Sequence, residues 1–277
     1  MTTSHAKSVS ERIKHVAKEK GATYAEILTQ FLIERAAVRL VSDPTLYQRL
    51  VFKGGFVGLR VYGSPRFTTD LDAVVQSQDR FDFRKKARDA MAQDLDDHVW
   101  FDFEQEVDLI TQNEYGGVRL QFRAGLGEPP EDKRRAQIIN LDIGTGDPIT
   151  PRAKDEKTPT TLGIGELSWR VYPIETIIAE KLHPFISLGA DNSRSKDIFD
   201  LAFYLPNAKA ELLKQAIAKT FAHRGDSVPV SIASEIETMD YALLRRGWRS
   251  ATGAIRPVPN FEDTIELVIK WLRRHEV

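Results

Sequence analysis

The chain has 277 residues, 42% of them hydrophobic, enough to bury a sizeable core as one large domain or two modest ones. Its 39 basic and 40 acidic side chains leave a formal charge of -1, so no molecule-wide field attracts nucleic acid and any such contact needs a local patch. Cysteine is absent, which excludes disulfides and thiolate metal sites; no apolar run approaches the ~18 residues of a membrane span and no signal-peptide core follows Met1, so a soluble cytoplasmic protein without membrane contact is expected.

In chain order, Ser8 with Glu11, or Ser10, opens a helix over 8–18 that Gly21 ends. Ile27, Leu28, Phe31, Leu32, Ala36 and Leu40 form the stripe of a helix over 24–40, stopped at Ser42-Asp43-Pro44. Leu50-Val51-Phe52 is a short apolar run before Lys53-Gly54-Gly55 and a helix over 56–61. A strand starting at Asp70, a charged helix over 81–95, and strands over 117–123 and 136–143 follow. The Pro-, Thr- and Gly-rich stretch 145–161 reads as a connection, dividing a domain 1–150 from a mainly helical domain 151–277. Helices are expected over 173–182, 195–205, 208–221, 231–244 and 261–274.

The most informative segment is Gly63-Ser64-Pro65-Arg66-Phe67-Thr68-Thr69-Asp70-Leu71-Asp72. Alternate strand residues share a face, so Asp70 and Asp72 project side by side. Two adjacent carboxylates repel unless a cation lies between them, and Mg²⁺ (or Mn²⁺), which keeps substrate phosphates in its shell, suits oxygen ligands. In Ile139-Asn140-Leu141-Asp142-Ile143 the alternation offers a third carboxylate, Asp142; it fits a two-metal site or, equally, a solvent-facing edge strand.

Other residues have both a functional and an ordinary reading. Lys53, Gly54 and Gly55 before a helix permit close approach of phosphate, to which Ser64 can add a hydroxyl, or form a plain turn. Lys181, at the edge of the Ile174/Ile177/Ile178/Leu182 stripe, is a point charge for a triphosphate or a surface lysine. Arg194 and Lys196 sit at a helix entrance favourable to anions, with Asp197 and Asp200 one turn apart, or simply as caps and surface charge. Arg224 closes another helix. Neither His-Glu-x-x-His nor Gly-x-Ser-x-Gly occurs.

Taken in order, these pieces resemble the AbiEii/AbiGii nucleotidyltransferase toxins. The matching blocks are Leu28…Phe31…Glu34-Arg35, Lys53-Gly54-Gly55, Arg66-x-Thr68-x-Asp70-Leu71-Asp72, Gly117-Val118-Arg119 and Leu141-Asp142-Ile143-Gly144-x-Gly146-Asp147. Tyr172-Pro173-x-Glu175-x-x-x-Ala179-Glu180-Lys181-Leu182 and Asn192-Ser193-Arg194-x-Lys196-Asp197-x-x-Asp200-Leu201 complete the set. The resemblance implies an α+β fold: a DNA polymerase β-type nucleotidyltransferase core with a mixed sheet, N-terminal helices and a helical C-terminal domain. It implies a toxin of toxin–antitoxin and phage-defence systems, with NTP as substrate, a cognate antitoxin as partner, and the 3′ end of tRNA as the acceptor used by some members. Carried over, Ser64 contacts phosphate, Asp70 and Asp72 hold Mg²⁺, and Asp142 is a metal ligand or general base. Lys181 neutralises the triphosphate, Asp197 and Asp200 complete the site, and Arg224 is a basic residue after the last motif. His183-Pro184 departs from the pattern, and Pro184 should kink or end its helix.

The reaction so implied is attack of an acceptor hydroxyl on the α-phosphorus with loss of pyrophosphate. For an RNA acceptor, Lys133-Arg134-Arg135, Arg245-Arg246-Gly247-Trp248-Arg249 and Arg273-Arg274 offer basic patches, with Trp248 as a base-stacking platform or a helix anchor. The rival readings are nucleotidylation of a protein hydroxyl, a catalytically silent antitoxin-binding protein, and γ-phosphoryl transfer.

Overall fold

The computed structural model describes residues 4–76, 82–109, 116–163 and 165–277. The chain forms two compact units, each built from three stretches. The first comprises Met1–Val61, Phe67–Gly146 and Asp155–Val171; the second comprises Tyr62–Arg66, Asp147–Lys154 and Tyr172–Val277. The expected single boundary near 150 is therefore replaced by interleaving, because strands beyond it return to the first unit.

The first unit contains α1 (Ser4–Lys20), α2 (Tyr24–Ser42), α3 (Pro44–Arg49), β1 (Leu50–Lys53), α4 (Gly54–Arg60), β2 (Asp70–Val75), α5 (Phe83–Met91), β3 (Val99–Leu109), β4 (Gly117–Leu126) and β5 (Gln137–Thr145). It closes with β6 (Lys154–Pro159) and β7 (Glu166–Val171). The seven strands form one mixed sheet in the order β3-β4-β5-β2-β1-β7-β6. β2 runs parallel to β5 and antiparallel to β1, and β1 is parallel to β7. Leu71, Ala73, Leu120, Phe122, Ile139, Leu141 and Ile143 are buried, as strand alternation requires.

A capping box starts α2: Thr23 Oγ1 accepts from the Glu26 amide, and Glu26 accepts from the Thr23 amide at 2.7 Å. Its predicted apolar stripe is buried except for the half-buried Leu28, and with it lie polar residues the pattern did not announce. Arg39 donates to both oxygens of Asp97 at 2.8 and 2.9 Å and to the Val99 carbonyl, tying α2 to the start of β3, while Arg35 adds a 2.6 Å bond to Asp97. Glu34 accepts from the amide and hydroxyl of Thr161 and pairs with Arg60; burial pushes its pKa up.

Three strands escaped the sequence pattern. β3 is an edge strand whose alternation is broken by a bulge between Phe103 and Gln105. β6 is the opposite edge and is almost wholly polar, a composition that protects edges from pairing. β7 does alternate, burying Leu167, Trp169 and Val171, but lies in the half expected to be helical. The predicted helix over 81–95 is α5; Phe81 lies outside the described residues.

The second unit holds α6 (Ile174–Leu188), α7 (Ser195–Tyr204), α8 (Ala210–His223), α9 (Ile232–Glu237), α10 (Ala242–Thr252) and α11 (Phe261–Arg274). α6 runs through Pro184 to Leu188, so the helix does not end at the proline, the second of the two outcomes expected for it; burial of Leu182, His183 and Phe185 outweighs the missing backbone bond. The helix expected over 231–244 is two helices, because Asp240 accepts from the Ala242 amide and restarts the chain as α10. No helix among the described residues is long and apolar enough to cross a membrane.

Candidate active site

Each unit gathers part of the predicted set. In the first, β2 presents Asp70 and Asp72 on the half-exposed face of the sheet while Leu71 and Ala73 point into the core. The parallel register sets Asp70 beside Asn140 and Asp72 beside Asp142. Two rows of side chains therefore cross the strands. In one, Gln105 donates to Gln121, Gln121 to Asn140 and Asn140 to Asp70 Oδ1, each at 2.9 Å. These amides run head to tail and end on the carboxylate, aligning their dipoles toward its charge. In the other, Lys53, Asp72, Asp142 and Arg119 are successive register partners.

Arg119 grips Asp142 with two parallel bonds, Nε to Oδ1 and Nη2 to Oδ2, both 2.7 Å. The hydrogen bond to Asp142 raises the Arg119 pKa further, as do the charges of Asp142, Asp70 and Asp72. Among the described residues no three His, Cys, Asp or Glu side chains converge as metal ligands. The three-carboxylate set drawn from sequence thus becomes two carboxylates on β2 and a third held by an arginine. The donor chemistry still fits a divalent cation: a guanidinium already lies in the field of all three carboxylates.

Gly54 has a specific steric role here. Its φ is +72°, and a Cβ added to it would lie 2.0 Å from Asp72 Oδ2. Only glycine lets the carboxylate lie against the backbone at that point. Lys53 is the N-cap of the seven-residue α4, and Gly55 is its second residue.

In the second unit, Lys181 on α6 meets Asp197 and Asp200 on α7. Its Nζ lies 2.7 Å from an oxygen of each. Arg66 makes a bidentate pair with Asp200, 2.9 Å per bond, and Arg194 Nε is 2.6 Å from Asp197 Oδ2. Both carboxylates are only 1% exposed. Burial alone would raise the Asp197 pKa, but the charges of Lys181 and Arg194 more than offset it and hold it at about 2. Asp200 is likewise held below its ordinary value against burial, chiefly by Lys181 and Arg66. Lys181, despite its burial, is raised by the same two carboxylates. Ser64 is buried, accepts from the Arg66 amide at 3.3 Å and hydrogen-bonds Tyr204, whose pKa is pushed up to about 12 by burial and then by Asp200.

Arg66 and Arg119 are the residues that the motif reading passed over without a role, although both lie in quoted blocks; their register and ion pairs are tertiary facts. Lys196 is exposed at the start of α7, and Arg224 is the half-buried C-cap of α8. Trp248 does not offer a stacking platform: it is 7% exposed, donates to the Pro259 carbonyl at 2.8 Å and packs edge-on against Phe261. Lys133 and Arg134 pair with Asp102 and Asp132, and Arg273 with Glu237. Arg246 and Arg249 are exposed and have no acidic partner among the described residues.

A family model for the nucleotidyl transferase AbiEii toxin of type IV toxin–antitoxin systems matches residues 35–266. A comparison with curated proteins gave no match. The fold is similar to that of MenT4, a nucleotidyltransferase toxin from Mycobacterium tuberculosis, with TM-score 0.64 and 16% identity over 95% of this chain and 92% of that one. It is also similar to JHP933 from Helicobacter pylori, with TM-score 0.54 and 17% identity over 88% of this chain and 89% of that one. With the family match covering most of its length, the chain belongs to the AbiEii nucleotidyltransferase toxin family.

Proposed function

We propose that this nucleotidyltransferase toxin transfers a nucleoside monophosphate from an NTP to the 3′ end of a tRNA, with Mg²⁺ held by Asp70 and Asp72. The observation that carries the reading is the pair of alternate carboxylates on β2, in register with Asn140 and Asp142 and facing the positive charge of Arg119. When bound, the cation supplies charge neutralisation at the α-phosphate and the leaving pyrophosphate. The residues prepare the place for it. The amide row ending in Asn140 fixes the rotamer of Asp70, and Gly54 leaves the space that the Asp72 carboxylate fills. Asp142, fixed by Arg119, orients the acceptor hydroxyl for attack. Within the first unit Lys53, with Gly54 and Gly55 leaving room at the start of α4, offers a positive charge to phosphate; within the second, Lys181, Arg194, Lys196 and Arg224 offer positive charge and Ser64 a hydroxyl. Asp197 and Asp200 act by holding Lys181 in place.

An RNA acceptor is favoured over a protein one by the exposed face of α10, where Arg246 and Arg249 project without acidic partners. A cognate antitoxin counteracts the toxin, and both act in the cytoplasm. The test is incubation with Mg²⁺ and each α-labelled NTP against total RNA and lysate protein, with Asp70→Asn as control. Label on small RNA that disappears in the variant is expected; label on protein would move the acceptor to a polypeptide hydroxyl, and no label on either would overturn the reading.

A further inference from the structure

We propose that Arg119 is a positioning residue that acts as a resident second cation, keeping Asp142 out of the metal's ligand set so that the toxin takes up a single divalent ion through Asp70 and Asp72. The proposal rests on the metal reading above and adds to it the stoichiometry of the site and the residue that sets it.

Arg119 and Asp142 are direct cross-strand partners on β4 and β5, so their meeting is dictated by strand register and not by chance contact of long surface side chains. Both carboxylate oxygens are engaged by the planar guanidinium, at 2.7 Å each. That geometry is one a lysine cannot reproduce. A divalent ion binding Asp142 would have to sit beside a permanent positive charge or displace it.

The neighbouring positions show what the row achieves. Across the sheet the row runs Lys53, Asp72, Asp142 and Arg119, so two adjacent carboxylates are flanked by one basic residue on each outer side. Asp70 stands in the adjacent row, where its Oδ1 accepts from Asn140 and no donor among the described residues reaches its Oδ2. Asp142 thus has both oxygens committed, whereas Asp70 has one oriented for a further ligand. The Arg119 side chain is 35% exposed, so water screens part of its charge and the effect of removing it should be moderate.

The experiment is Mn²⁺ titration of the full chain without nucleotide, followed by electron paramagnetic resonance of free Mn²⁺ and by calorimetry. Wild type is expected to bind one Mn²⁺, lost in Asp70→Asn. Arg119→Ala should gain a second Mn²⁺ or bind the first roughly tenfold more tightly. Adding Asp142→Asn to Arg119→Ala should abolish the gain. Arg119→Lys, which keeps the charge but cannot hold both Asp142 oxygens, should fall between wild type and Arg119→Ala, and thermal unfolding of each variant checks that it is folded. Two Mn²⁺ in wild type, or Arg119→Ala with unchanged stoichiometry and affinity, would overturn the role of Arg119 and leave the metal reading standing. Wild type that binds no Mn²⁺ would overturn both.

Discussion

Replacing Gly54 by alanine tests whether the Asp72 carboxylate must lie where the structure puts it. The new Cβ would stand 2.0 Å from Asp72 Oδ2, 2.6 Å from its Cγ and 2.9 Å from its Cβ, with φ at +72°. A left-handed backbone costs an L-residue roughly 1–2 kcal/mol, and pushing Asp72 off its rotamer adds roughly 0.5–1.5 kcal/mol. A loss of about 1.5–3.5 kcal/mol follows, which for a chain of this size lowers Tm by about 3–14 °C. The chemistry should suffer far more, since displacement of a ligand by about 1 Å costs on the order of 100-fold in rate. Calorimetry and transfer of α-labelled nucleotide read the two effects separately. In an Asp72→Ala background the carboxylate collision is gone and only the 2.9 Å approach to the residue-72 Cβ remains, so Gly54→Ala should cost little more than the backbone portion, about 1–2 kcal/mol. Equal costs in both backgrounds, or near-normal transfer by Gly54→Ala, would refute the reasoning.

Lys181→Met removes the ammonium shared by Asp197 and Asp200 and should destabilise the fold by about 3 kcal/mol in denaturant titration; a loss below about 1 kcal/mol would show that Arg66 and Arg194 suffice. Asp97 is pushed up by burial but held below its ordinary value of 3.8 by Arg39 and then Arg35. Because its folded pKa is depressed, its contribution is complete above the unfolded value and disappears as pH falls through the folded one. Asp97→Asn should therefore be less stable near neutrality and show a shallower loss of stability below about pH 4; curves that fall in parallel would contradict this. Arg246→Glu with Arg249→Glu should weaken RNA binding and flatten its dependence on salt, while binding that ignores both changes would remove α10 from the RNA surface.

The alternation in Asp70-Leu71-Asp72 and Asn140-Leu141-Asp142 was enough to place four polar side chains on one sheet face, since period-two patterns are local. α11 spans the predicted range, its start marked by Asn260, whose side chain accepts from the Asp263 amide. What stayed hidden depends on partners far away in sequence. The amide row joins residues 105, 121, 140 and 70, and Arg119 finds Asp142 only through the register of β4 on β5. Likewise β6 carries no apolar periodicity, because an edge strand needs none. Pro184 did not end its helix because packing of the buried surroundings outweighs its local preference, while Trp248 follows the helix-anchor reading of the two its sequence left open.

The interleaving of the two units limits how this protein can change by recombination. β1 pairs with β7, so a chain cut or fused near residue 150 leaves an open apolar strand edge in the middle of the sheet that carries Asp70 and Asp72. A chain that ended between β5 and β7 would keep five strands of the sheet with β1 as an unpaired apolar edge, open to pairing with another copy.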